Sequence, residues 1–137
     1  MDIEKIRKWA WKVANKLIEF EGGETRTLDR FMMDLRSSNL PHDFANVIVN
    51  NMTIFRRSGI DVDEISPDLQ YFNNVTEFKE AKAVIIATFH NAQVLWNRIK
   101  DLYINQKLRP EEIAEKLRMN IEVVKRMIEV IKGGERR

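Results

Sequence analysis

Residues 75–104 read VTEFKEAKAVIIATFHNAQVLWNRIKDLYI, without a single proline or glycine. Strand alternation is missing, and the middle, Ala81 to Ala92, is apolar on most sides. That pattern predicts one long helix running through the interior and serving as a spine for its neighbours. It is not a membrane span. The longest apolar candidate, Ala81–Phe89, falls well short of the ~20 residues a span needs and contains Lys82 and Thr88.

Upstream, the same helical spacing recurs. Residues 2–21 predict a first helix, with Asp2 and Glu4 at its positive end and Gly22–Gly23 closing it. Ile3, Ile6, Ala10, Val13, Leu17 and Phe20 form its buried stripe. Thr27 is the expected cap of a second helix reaching about Ser37, with Leu28, Phe31, Met32 and Leu35 inward. Asn39 and Pro41 open a third, burying Phe44, Val47, Ile48, Met52 and Phe55 and ending at Ser58–Gly59. Ser66–Pro67 signals a short helix stopping before Asn73–Asn74. The expected fold is all-α, a helical bundle of about four main helices with a C-terminal pair of short helices. One domain is expected, with residues 2–106 as the bundle and 107–133 as the appended pair.

Composition narrows the function. At 44% hydrophobic and 32% charged residues the chain belongs with folded globular proteins rather than disordered ones. The absence of cysteine excludes disulfides, thiolate metal sites and cysteine nucleophiles. A formal charge of +2 demands no polyanionic partner. Its distribution is uneven, with basic termini and an acidic middle, which polarises the surface. The first residues lack the apolar core of a signal peptide, so a cytoplasmic protein is expected. His42 and His90 fall in separate helices without metal-ligand spacing, and His90 is expected in the interior or at its boundary. No constellation points to catalysis, a metal or a cofactor.

Pro110 to Ile131 reads PEEIAEKLRMNIEVVKRMIEVI. A helix starts at Pro110, a turn falls near Met119–Asn120 and a second helix starts about Ile121. Ile113, Leu117, Met119, Val124 and Met127 supply contacts for two short helices crossing steeply, with Ala114 small enough for close approach. Residues 108–132 resemble the helix-turn-helix of small transcription regulators, of the kind in sigma-factor and response-regulator output domains. In length and make-up the whole chain also looks like small proteins of archaea and archaeal viruses. Two positions depart from the family pattern: Arg118 stands where a glycine is usual, and Arg109 where a Ser or Thr cap is. The resemblance implies double-stranded DNA as a partner, bound by a homodimer. Asn120, Lys125 and Arg126 are then the base- or phosphate-facing candidates, with backbone contacts from Lys116, Arg118, Arg136 and Arg137. The second helix also carries Glu122 and Glu129, and Glu122 lies i, i+4 from Arg126, the spacing of an ordinary surface ion pair. The alternative is a homodimeric helical bundle for protein–protein interaction, its C-terminal pair purely structural.

The first helix raises a second question. Lys5, Lys8, Lys12 and Lys16 form a stripe, and Trp9 and Trp11 point about 200° apart. One face cannot bury both tryptophans. Trp9 and Trp11 are therefore candidates for a subunit interface, the alternative being one packed and one partly covered ring.

Overall fold

The computed structural model of this chain describes residues 2–61 and 75–135. The expected Ser66–Pro67 helix start lies outside them. The elements are α1 (Ile3–Phe20), α2 (Arg26–Ser37), α3 (Pro41–Asn50), α4 (Met52–Arg57), α5 (Val75–Lys100), a π-helical turn (Asp101–Asn105), α6 (Pro110–Leu117) and α7 (Ile121–Glu135). No strand occurs among the described residues. The fold is the expected all-α one, with a long α5 packed against α1 and a C-terminal α6–α7 pair.

In α1, Asp2 caps the start by accepting from the Lys5 backbone N–H at 3.2 Å. Ile6, Trp9, Ala10, Val13, Ala14, Leu17 and Ile18 are buried. Phe20, expected in that stripe, is 42% exposed. The chain reverses directly after it through Gly22 (φ +68°) and Gly23 (φ +95°), and Ile18 takes the interior position instead.

The cap of α2 also differs from expectation. Thr27 lies inside the first turn, and its backbone N–H donates to Glu21 Oε1 at 2.7 Å. A carboxylate from the end of α1 thus satisfies a free N–H at the start of α2, locking the junction. The other end is closed by Lys82 of α5. Its Nζ donates to the Ser38 carbonyl at 2.6 Å, where a cation favours the negative end of the helix.

The single helix expected from Asn39 to about Arg57 is two. Asn51 marks the break: its backbone leaves the helical region (φ −106°, ψ 8°), and its buried Nδ2 donates to the Val47 carbonyl at 2.7 Å. Asp43 Oδ2 starts α3 by accepting from the Asn39 and Leu40 N–H groups, each at 3.0 Å. Gly59 (φ +77°) ends α4, and Lys16 of α1 donates to its carbonyl at 2.7 Å.

The core gathers along α5, where Phe78, Ala81, Ile85, Phe89, Ala92, Trp96 and Ile99 are fully covered. Phe31 packs edge-on to Phe55 at 5.1 Å and against Phe89 at 5.4 Å, in geometries aromatic rings favour. The buried Trp96 Nε1 finds an acceptor in Asn15 Oδ1 at 2.9 Å. Asn15 is itself held by donating to the Trp11 carbonyl at 2.8 Å.

The α-helix expected to reach Ile104 stops at Lys100 and widens into the π turn. The Asp101 carboxylate accepts from Asn105 Nδ2 (2.8 Å) and Gln106 Nε2 (3.0 Å), bonds that stabilise the wide turn. At the far end, Gly133 and Gly134 do not end the helix. α7 runs through both to Glu135, and the Gly134 backbone closes onto Gly22.

Candidate functional site

The start of α6 is built without a Ser or Thr. Pro110 occupies the first helical position, and Glu112 Oε1 reaches back to accept from the Arg109 backbone N–H (3.1 Å) and its Nε (3.0 Å). Those two bonds, the backbone one first, hold the Glu112 carboxyl below the usual carboxylate range. The end of α6 settles the question raised by the missing glycine. Arg118 itself adopts the left-handed conformation (φ 55°, ψ 46°), and the Met119 N–H returns to the Ala114 carbonyl at 2.9 Å. This is the hydrogen-bond pattern of a glycine-terminated helix, made here by an arginine.

Two residues later Asn120 Oδ1 accepts from the Glu122 N–H at 2.8 Å and caps α7. Ile113, Ala114, Val124, Met127, Ile128 and Ile131 are buried at the seam, with Leu117 and Met119 partly so. The two short helices read from the sequence, and the turn between them, are present.

Lys116 and Arg118 are exposed and make no ion pair among the described residues. Asn120 has committed its amide oxygen to the cap. Lys125 lies 3.9 Å from Glu122. Arg126 does not take Glu122, as the i, i+4 spacing predicts; it donates to Glu19 Oε2 of α1 at 3.0 Å. Arg136 and Arg137 lie outside the described residues.

The two tryptophans part company. Trp9 is only 8% exposed, so the expectation that it offers an interface is corrected: it belongs to the core. Trp11 is 41% exposed. It stands between two clefts. One, of about 560 Å³, is walled by Ala83, Val84, Ala87 and Asn91 of α5, with Arg7 and Lys8 at the rim. The other, of about 400 Å³, reaches Leu95, Met119 and Val123. His90, expected in the interior or at its boundary, is exposed, as is His42. No set of three His, Asp or Glu side chains among the described residues could hold a metal.

The outer face of α5 escaped the sequence reading, which expected burial on most sides. Glu80, Ala83, Ala87, His90, Asn91, Val94 and Arg98 are all exposed. The available signal was the run from Ala83 to Asn97, which holds no Asp, Glu, Lys or Arg.

Compared with protein-family models, curated proteins and solved structures, the chain matches none. No described helix is long and apolar enough to cross a membrane.

Proposed function

We propose that this chain is a non-enzymatic regulatory protein that binds duplex DNA through α6–α7 as a homodimer. The observation that carries the reading is the left-handed turn at Arg118 followed by the Asn120 cap. Lys116, Arg118, Lys125 and Arg126 are exposed on the two sides of this turn, with Glu122 exposed in the first turn of α7. A helix amino terminus flanked by cations suits the phosphates beside a major groove. Dimerisation supplies the affinity that one short recognition helix lacks.

The test is a titration with labelled mixed-sequence duplex at low salt, repeated as salt rises. Four phosphate contacts predict that log K falls with log salt at a slope of roughly −3 to −4. Replacing Lys125 and Arg126 together by alanine should lower that slope by about 2 while helicity is retained. No binding at low salt overturns the proposal.

One observation favours a second reading. Lys125 and Arg126 each have a carboxylate within 4 Å, at 3.9 and 3.0 Å, so the face is partly neutralised. On that reading the chain is a homodimeric module for protein association, and α6–α7 only buttresses the bundle.

A further inference from the structure

A helix apolar on all sides is ordinarily covered on all sides. Among the described residues, α5 is covered on one. Its inner side packs on α1 and α2, while the outer side carries small or uncharged residues to solvent over four turns. At about 100° per residue, Glu80, Ala83, Ala87, Asn91, Val94 and Arg98 fall within about 40° of a single line along the helix. Ala83 and Ala87, four residues apart, have side chains short enough to let another helix approach closely. Trp11 of α1 forms a wall beside them.

The charges at the two ends of this line say what covers it. Along this line Glu80 bounds the uncharged stretch on one side and Arg98 on the other; neither makes an ion pair among the described residues, and Arg98 acts on Asp101 only as a nearby charge. We infer that a second copy of the chain packs its own α5 antiparallel across this face, about a two-fold axis near residue 89. Glu80 and Arg98 lie equally far from that point, so Glu80 meets Arg98 of the partner subunit at each end. Ala87 meets Asn91 of the partner subunit near the axis. A two-fold interface brings the same patch to both sides, so charge near its centre would repel itself; the α5 line carries none there, and of the two cations beside it, Arg7 and Lys8, the first is paired with Glu4. Trp11 sits at the border, where a large ring adds contact area.

This interface deepens the DNA-binding reading and, for its consequence there, rests on it. Lys100 is the last residue of α5, and at about 1.5 Å per residue it lies about 16 Å from the axis. The two exits toward α6–α7 are then about 33 Å apart. Successive major grooves on one side of duplex DNA repeat at about 34 Å.

The experiment is mass by sedimentation equilibrium on the full chain, without DNA, from about 1 to 100 µM. The expected result is a dimer. Ala87→Glu, checked for helicity by circular dichroism, should yield monomer at the same concentrations. Glu80→Arg alone and Arg98→Glu alone should each raise the dissociation constant about three- to tenfold at low salt. The two together should return it to within about twofold of the unaltered chain, because the swapped charges pair again. That restoration keeps the test decisive even where Ala87→Glu disturbs folding. A monomeric mass at 100 µM overturns the inference and leaves the face to a different kind of partner. A dimer indifferent to all three changes overturns it too. A dimer that responds as expected yet binds no DNA upholds the interface and removes only the DNA reading.

Discussion

Gly22 and Gly134 meet backbone to backbone: a Cβ placed on Gly22 would lie 2.8 Å from the Gly134 Cα, and one on Gly134 would run into the Gly22 carbonyl. Neighbouring Gly133 has open space around it. Two chemically identical changes therefore have opposite signs. Gly134→Ala should cost about 1–3 kcal/mol by overpacking. Gly133→Ala should stabilise by about 0.5–1 kcal/mol, since a helical glycine carries an entropic penalty. Urea denaturation midpoints of the two variants check this, and a shared sign would contradict the close approach.

Glu19 holds Arg126 against α1, and phosphate must compete for the same guanidinium. Glu19→Gln should raise affinity for duplex DNA about two- to fivefold at low salt. Stability should scarcely change, because exposed ion pairs contribute little. Anisotropy titration of the variant beside the unaltered chain measures it; unchanged affinity would mean that Arg126 takes no part in binding.

Arg118 adopts a left-handed backbone that costs a non-glycine residue about 1–2 kcal/mol. Arg118→Gly should raise thermal stability by about 1 kcal/mol while weakening DNA binding through loss of a cation. Calorimetry and titration on the same preparation separate the two effects. Affinity that does not fall would show that Arg118 contacts no phosphate, and unchanged stability would show that its left-handed backbone carries no strain.

Asn15 accepts from the buried Trp96 indole across the α1–α5 seam. Asn15→Leu leaves that N–H without its acceptor, a loss of about 1–3 kcal/mol. Trp96→Phe removes the donor as well, so Asn15→Leu should cost less in that background. A double-mutant cycle in urea gives the coupling; strict additivity would refute it.

Three exposed carboxyls titrate below their usual range. The Leu40 and then the Asn39 backbone N–H lower Asp43; the amides of Asn105 and Gln106 lower Asp101; the backbone and then the guanidinium of Arg109 lower Glu112. Each pKa is lower folded than unfolded, so the unfolded chain binds more protons in between. Their contribution is complete above the unfolded value of about 4 and fades as pH falls through the depressed ones. Denaturation midpoints should stay level from pH 7 to 5 and drop below about pH 4. Asp43→Asn with Glu112→Gln should flatten that drop.

The fold was readable where a helix has one wet and one dry side, because spacing alone then fixes the face. The interior residues of α2 follow the sequence pattern one for one, as do most of those in α1. Breaks were harder. Asn51 divides α3 from α4 by a backbone turn, while Asn15 makes the same side-chain bond to a carbonyl inside an unbroken α1. Around the candidate site, local contacts misled. Glu122 looked like the partner of Arg126 because it is four residues away, yet the structure supplies Glu19 from 107 residues away. The outer face of α5 was read as interior for a related reason: an uncharged surface looks the same in sequence whether its cover comes from the same chain or from another.

The π turn at Asp101–Asn105 stands between the two surfaces proposed to act, the outer face of α5 and the helix pair beyond it. Each residue of an ordinary helix advances the chain by about 100°. Removing one residue here would swing α6–α7 around the α5 axis by about a quarter turn and leave each surface intact by itself. A dimer could still assemble, but its two recognition helices would no longer face the same duplex. The bonds from Asp101 to Asn105 and Gln106 act as an indexing pin, setting the angle at which one grip serves the other.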